Sequence, residues 1–514
     1  MKKIFPSPIV TPFVVITVYL AMFLPNPWLT AEEVLYVSSS LKKIPIWETL
    51  IRDNPLPPGI TIKYTKEKSK ASKNILTLST RKWYEPKRNV RNRFIYTKEL
   101  KSAELIPLVS LLDSRSNIDI TRLRTLYLDK SLKADGLFII PLKKLTPVFL
   151  SATNLKALLV NNKTPFEKGY KLADREFLKL ETTNSTIISW FKKISPNQYW
   201  QKKKPKFLWL LAVGDVMLAR GTDRLLLQPD GVRKVFGNTL PYLRKGDILL
   251  GNLECVASLR GHKINKSYNF HFDPSALKPL KEAGFSYLSV ANNHSFDYGI
   301  SAFLDTLKNL HRYQLGFSGA GGNLSEASKP WVFFKDNLSV KILSVGAYPN
   351  ERTGFSGSNY TANKQKPGIL WANDYFFSLL KEKFGDNSLN IVMVHGGIEW
   401  TSIPTLNQVK LYRKMVDSGA DIVIGSHPHF VQGFEKYRGK FIAYSLGNFL
   451  FPGMEGTGYG DTSIILKLGI YRKQVLYIIP IPVRLDGKRV RVIKTLNTVE
   501  RFYHLSKIIE KKYH

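Results

Sequence analysis

The chain has 514 residues, with 76 Lys and Arg against 40 Asp and Glu for a formal net charge of +36, and is 44% hydrophobic and 12% aromatic. That length favours two domains, and the apolar content supports a packed core and excludes a disordered chain. The basic excess points to a polyanion or an anionic surface; the single Cys255 excludes an intramolecular disulfide and a multi-cysteine zinc site; and no zinc finger, RNA-recognition signature or basic helix with heptads argues for nucleic acid.

Lys2 and Lys3 precede an apolar run from Ile9 to Leu24, broken only by Thr11, Pro12, Thr17 and Tyr19. The run falls short of the roughly 20 residues of a membrane helix, and its flanks can extend it. Residues 1–30 therefore read as a signal anchor or signal peptide. Leu29-Thr30-Ala31 is a poor cleavage site because Leu29 is large, which favours the anchor. With the lysine pair held in the cytoplasm, the rest of the chain is expected outside the cell membrane, tethered to it, or secreted if the segment is cleaved.

Residues 31–200 read as a smaller α/β domain. Ile75–Leu78 and Gly136–Ile140 have the look of short buried strands. Pro107–Leu112 fits a short helix with its proline in the first turn, and Leu158–Val160 a strand entering a turn at Asn161-Asn162. No cluster of His, Asp and Glu with ligand spacing occurs here. Lys202-Lys203-Lys204-Pro205-Lys206 marks 201–206 as a basic linker.

From 207 to 495 the pattern changes. Phe207–Val213 runs into Gly214-Asp215, Asp247–Leu250 into Gly251-Asn252, and Tyr287–Ala291 into Asn292-Asn293-His294. Ile391–Val394 runs into His395-Gly396-Gly397, and Ile422–Ile424 into Gly425-Ser426-His427. Five times an apolar run ends in a small residue and a polar group. Helical periodicity separates them at Ala302–Tyr313, Asp374–Phe384 and Leu406–Ser418. Alternating strands and helices imply an α/β sheet with its ligands beyond the carboxyl ends of the strands. Phe441–Phe451, Ser463–Ile470, Val475–Val483 and Arg489–Ile493 read as strands of a second sheet, which with outer helices makes a four-layer sandwich. Residues 496–514 read as a C-terminal helix or tail.

The strand-end groups Asp215, Glu254, Asn293, His294, His395, His427 and His429 mix carboxylate, amide and imidazole. Imidazoles suit zinc, iron or manganese, and the oxygen donors suit the harder end of that range. His427-Pro428-His429, read as an extended stretch, points both rings the same way.

The segments 214–220 (Gly-Asp-Val-Met-Leu-Ala-Arg), 251–254 (Gly-Asn-Leu-Glu), 291–299 (Ala-Asn-Asn-His-Ser-Phe-Asp-Tyr-Gly), 394–400 (Val-His-Gly-Gly-Ile-Glu-Trp), 425–432 (Gly-Ser-His-Pro-His-Phe-Val-Gln) and 445–451 (Ser-Leu-Gly-Asn-Phe-Leu-Phe) follow one another in an order that resembles the CapA family of capsule (poly-γ-glutamate) synthesis proteins. That family is similar in turn to calcineurin-like metallophosphoesterases, which implies a four-layer αββα sandwich and one or two divalent cations, manganese, iron or zinc. The resemblance implies Asp215, Glu254, Asn293, His395, His427 and His429 as metal ligands, Glu254 as the bridging carboxylate, and His294 as the catalytic acid beside the substrate. Arg220 then either grips an anionic substrate group or makes a surface ion pair. Asp297 and Glu399 either orient ligand imidazoles or are cap or surface carboxylates. Met217 stands where phosphoesterases of this fold carry a histidine ligand, and Gly396, Ser426 and Cys255 depart from common family residues.

Two functions fit. The first is a metal-dependent hydrolase or transferase acting on an anionic polymer such as poly-γ-glutamate or on an envelope precursor. The second is a non-catalytic accessory protein that binds polymer, or membrane-embedded synthase and export partners, and keeps a structural metal site.

Overall fold

The computed structural model describes residues 33–38, 47–58, 60–65, 75–81, 95–165, 167, 170–181, 185–194, 207–336 and 338–513. The expected anchor at 1–30 and the linker at 201–206 lie outside the described residues. Among those described, no helix is long and apolar enough to cross a membrane. The chain is a mixed α/β protein whose residues gather into two compact units, the first within 1–107, 118–143 and 160–204, the second within 108–117, 144–159 and 205–514.

In the first unit Ala173–Glu181 pairs antiparallel with Ile75–Arg81 on one side and with Ile95–Ser110 on the other. Helix Ile120–Leu128 begins at Asp119, whose side chain accepts from the backbone N–H groups of Thr121 and Arg122 and so satisfies the orphan donors of the first turn. Asn161 and Asn162 take φ values of 50° and 60°, the left-handed geometry that asparagine tolerates at a turn.

The helix expected at Pro107–Leu112 is instead the end of the strand Ile95–Ser110. Leu108, Val109 and Ser110 pair antiparallel with Ala157, Lys156 and Leu155. This pairing buries Ile106, Leu108 and Val109 and satisfies the backbone across strands, where a one-turn helix could bury only one face. These residues, with 144–159, pack within the second unit. Lys156 Nζ donates to Tyr503 Oη at 2.5 Å, and Lys436 Nζ donates to the carbonyls of Leu150 and Thr153.

Two larger sheets build the second unit. In the first, the order is Tyr287–Ser289, Ile248–Leu253, Phe207–Val216, Thr462–Tyr471, Gln474–Asp486 and Arg489–Val492, with Asn448–Leu450 also beside Phe207–Val216. In the second it is Trp331–Lys335, Leu338–Ala347, Leu389–Gly396, Ile422–Ser426, Lys440–Ala443 and Phe434–Tyr437. Strand alternation sorts the side chains. Leu208, Leu210 and Ala212 share one core with Val340, Ile342, Ile391, Met393, Ile422 and Ile424. Leu211 and Val213, on the opposite face, pack with Phe236, Leu277, Leu280 and Phe303. On the far side of the second sheet, Leu343, Val392 and Val423 meet Phe376, Leu380, Tyr412 and Met415.

The expected sheet membership needs correction. Strand runs of the first half divide between the sheets, and Phe441–Phe451 splits into two strands, one in each sheet. The strands after 462 return to the first sheet because Phe207–Val216 has a free edge opposite Ile248–Leu253. Thr462–Tyr471 fills it in antiparallel register, Phe207 facing Tyr471 and Ala212 facing Leu466.

Candidate metal centre

The carboxyl ends of the parallel strands of both sheets deliver the site. Phe207–Val216 ends in Asp215, Ile248–Leu253 is followed by Glu254, Leu389–Gly396 carries His395, and Ile422–Ser426 leads into His427. The turn at Gly214 allows this convergence. A Cβ there would lie 1.8 Å from the Gly447 carbonyl oxygen, the same oxygen that accepts from Asp215 N at 2.9 Å. Only glycine lets the two backbones approach so closely.

Asp215, Glu254 and His429 present ligand atoms within 4.8 Å of one another, all buried. His395 joins from the other sheet. Its Nδ1 receives Asn252 Nδ2 (3.1 Å) and lies 3.0 Å from Ser426 Oγ. Its Nε2 lies 2.9 Å from Asn293 Oδ1, 3.1 Å from His427 Nδ1 and 3.9 Å from Glu254 Oε1. Asn252 Nδ2 also donates to Asp215 Oδ1 at 2.9 Å. His429 Nδ1 lies 2.9 Å from Asn448 Oδ1 and 3.5 Å from Asp215 Oδ2.

His427 and His429 are not in an extended stretch. Their φ values are 98° and 60°, because the strand stops at Ser426 and the chain turns sharply over the site. The two rings, 6.3 Å apart, therefore engage different neighbours: His427 faces His395 and His429 faces Asp215. Left-handed geometry at two consecutive candidate ligands is strain of the kind held at functional sites.

Electrostatics tests whether a cation fits. Both oxygens of Glu254 and Nε2 of His427 are buried without a hydrogen-bond partner. Burial first, then Asp215, pushes the Glu254 carboxyl well above its usual range. Burial, then neighbouring imidazoles, holds His395 and His427 well below the usual histidine range, in the neutral form that ligates metals. His429 goes the other way: burial lowers it, but Asp215, helped by Glu399 and Asn448, raises it overall. An acceptor-only carboxylate with no donor, ringed by neutral imidazoles, is a costly arrangement that a divalent cation resolves. The donor set fits one.

His294 sits beside this cluster. Its Nδ1 lies 2.6 Å from Asp297 Oδ2, and its Nε2 lies 3.9 Å from Glu254 Oε1. Asp297 is fully buried and also accepts from Phe270 N at 2.7 Å. Burial lowers His294, against the pull of Asp297. Glu399, by contrast, is exposed and makes no hydrogen bond to a site imidazole among the described residues. Its charge reaches Glu254 and His429 only through space. Arg220 is exposed, donates from Nη1 to the Pro452 carbonyl at 2.6 Å, and stands 5.0 Å over the Phe270 ring. Phe270 in turn lies 4.6 Å from the His294 ring. Met217 lies in the apolar core. The Cys255 thiol is pushed up by burial and accepts from Leu218 N at 3.3 Å, which keeps it out of the ligand set.

Three supporting groups escaped the sequence reading. Asn252 and Asn448, both inside quoted segments, brace Asp215, His395 and His429. Lys266 carried no motif: its side chain is fully buried, and Nζ contacts the Asn293 carbonyl (2.6 Å), Asp297 Oδ1 (2.8 Å) and Glu351 Oε1 (3.1 Å).

Comparison with known proteins agrees with this geometry. The family described as "Bacterial capsule synthesis protein PGA_cap" matches residues 209–453. The PGA biosynthesis protein CapA of Bacillus subtilis (strain 168) is 34% identical over 242 residues, 46% of this chain and 62% of that protein. The capsule biosynthesis protein CapA of Bacillus anthracis is 31% identical over 276 residues, 52% of this chain and 64% of that protein. This chain thus spans just under two thirds of the length of either relative. A probable polyglutamine synthesis accessory protein of Mycobacterium tuberculosis (strain ATCC 25618 / H37Rv) is 26% identical over 299 residues, 49% of this chain and 77% of that protein. Residues 209–453, which hold every candidate ligand, are thus similar to the bacterial capsule synthesis (PGA_cap) family.

Proposed function

We propose that the chain is a metal-dependent hydrolase or transferase of capsule biosynthesis, acting outside the cell membrane on an anionic polymer such as poly-γ-glutamate or on an envelope precursor. The two facing sheets with outer helices support a four-layer metallophosphoesterase-like sandwich. The lysine pair and apolar run of residues 1–30 support a membrane anchor, and the net charge of +36 supports a polyanionic partner.

The observation that carries the reading is the Glu254 carboxylate, buried with both oxygens unpartnered and facing His294 and His395. Asp215, Glu254, Asn293, His395, His427 and His429 would hold manganese, iron or zinc, one or two ions per chain. Such a cation supplies Lewis-acid polarisation of a carbonyl or phosphoryl oxygen. The chain's own residues do the rest. Asp297 fixes the His294 ring through Nδ1 and leaves Nε2 turned towards the cluster; because burial favours the neutral ring, Nε2 first takes up a proton and then passes it to a leaving group. Asn252 and Asn448 hold the ligand side chains in place.

Metal analysis by mass spectrometry of the purified chain tests this. Near-stoichiometric manganese, iron or zinc is expected in the native protein and none in a His427→Ala, His429→Ala variant. A native chain that stays metal-free after reconstitution would overturn the reading. His294→Ala should keep its metal and lose turnover. Full turnover in that variant would remove His294 from the mechanism. A second reading, a non-catalytic accessory protein that binds polymer, draws support from Met217, which packs in the core where a further ligand is implied. It predicts polymer affinity that survives chelation and falls steeply with salt.

A further inference from the structure

Residues beyond the family-matched segment build a basic cavity on the rim of the metal centre. It has a volume of about 590 Å³, and its lining includes Tyr459, Asp461, Arg484, Lys494, Asn497 and Arg501. Arg484 lies 3.7 Å from Asp461. Lys494 is exposed, and among the described residues no carboxylate pairs with it or with Arg501. The Arg501 guanidinium stands 3.6 Å over the Tyr459 ring and donates from Nη2 to Ser402 Oγ at 2.5 Å. Its Nη1 is buried and has no hydrogen-bond partner. A guanidinium held over an aromatic ring, anchored by one hydroxyl and paired with no carboxylate among the described residues, carries a charge that the protein itself does not neutralise.

Short contacts link residues beside the cavity's lining to the centre. Asn448 Oδ1 lies 2.9 Å from His429 Nδ1, and its Nδ2 donates to the Gly460 carbonyl at 3.0 Å. Ser402, which holds Arg501, follows two residues after Trp400, whose ring lies 5.0 Å from His429. Trp400 and Tyr459 are both about half exposed, at 44% and 51%. An anion seated at Arg501 would therefore leave the donor cluster free, so the two sites together suit one molecule bearing repeated anionic groups.

We propose that this cavity is a subsite for the carboxylates of an extended polyanion, gripping a stretch of chain beyond the part presented to the metal centre. It rests on the proposed function for the identity of that chain, a γ-linked polyglutamate with one free carboxylate per repeat. Arg501 and Lys494 bind the carboxylates, and the exposed rings of Tyr459 and Trp400 floor the path between cavity and centre.

Calorimetric titration of the full chain with a short oligo-γ-glutamate, and separately with polyphosphate, tests the assignment. An Arg501→Gln, Lys494→Glu variant should lose affinity for oligo-γ-glutamate by about tenfold or more, with metal content and melting unchanged. Lys494→Glu alone, at an exposed position, should lose part of it, which separates lost contacts from misfolding. The His427→Ala, His429→Ala variant should lose metal and keep the oligomer. Failure of the metal reading thus shows in metal content, and failure of the subsite shows in the Arg501 and Lys494 variants. Equal affinity of native and Arg501/Lys494 variants, no binding to the native chain, or binding of polyphosphate alone would overturn the proposal.

Discussion

Lys266 offers the sharpest test of how the site is held. Its ammonium is sealed from solvent and contacts the Asn293 carbonyl, Asp297 and Glu351. Replacing it by methionine keeps the volume of the stem and removes the charge. Asp297 would keep Phe270 N and His294 Nδ1 but lose the partner of Oδ1, leaving a buried carboxylate under-compensated. Breaking a buried pair from one side costs about 3–5 kcal/mol. For a unit of this size that corresponds to a fall of roughly 4–7 °C in melting midpoint. Melting should be followed in chelator, so that cation binding does not mask the loss. Adding Asp297→Asn to Lys266→Met removes the stranded charge. The double variant should therefore be more stable than the sum of the single losses predicts, by about 1–3 kcal/mol. If Lys266→Met melts within about 2 °C of the native protein, or the two losses simply add, the lysine is not what holds Asp297 and His294.

Further outcomes follow from other buried groups. Glu254→Gln keeps the shape of a carboxylate that now lacks donors, so in chelator it should melt no lower than the native chain, while the rise in melting on adding manganese or zinc should vanish. A lower metal-free midpoint would refute the account of Glu254. Burial lowers Lys156 from 10.5 to about 7. A depressed lysine contributes stability that is whole above 10.5 and drains as the pH falls towards 7. Lys156→Met carries no such proton and should gain on the native protein by roughly 2–5 kcal/mol as pH falls across that range; a constant difference in denaturant titrations would contradict it. Gly214→Ala forces a Cβ into the Gly447 carbonyl and should cost about 4 kcal/mol or more. A loss below about 1 kcal/mol in the same titrations would show that the two backbones can part.

The site was more legible in the sequence than the architecture around it. Asp215, Glu254, His395 and His427 each follow an apolar run, and a run that ends in glycine and a polar group announces both a strand and what it delivers. What such a run does not encode is its neighbour. Ile464 and Ile465 read as strand whichever sheet receives them, and only the open edge beside Phe207–Val216 decides it. The same blindness made a helix of Pro107–Leu112, whose apolar residues fit either period until Leu155–Ala157 pairs with them. Lys266 was invisible for another reason. A lysine in a polar loop looks solvated, and only the fold seals it between Asp297 and Glu351. The turn at His427-Pro428-His429 likewise depends on the backbone leaving the sheet at Ser426, which no spacing of side chains reveals.

One pairing described above bears on how the protein comes to be made. Phe207–Val216 is bonded to Ile248–Leu253 on one edge and to Thr462–Tyr471 on the other. A growing chain meets the first partner early and the second only when Tyr471 has been added. Until then the strand that carries Asp215, paired only at its end by Asn448–Leu450, has a bare edge along Phe207–Ala212, a template for mispairing with any other extended chain. A fragment stopped at residue 453 would contain the whole family-matched segment and every candidate ligand, yet it would still expose that edge.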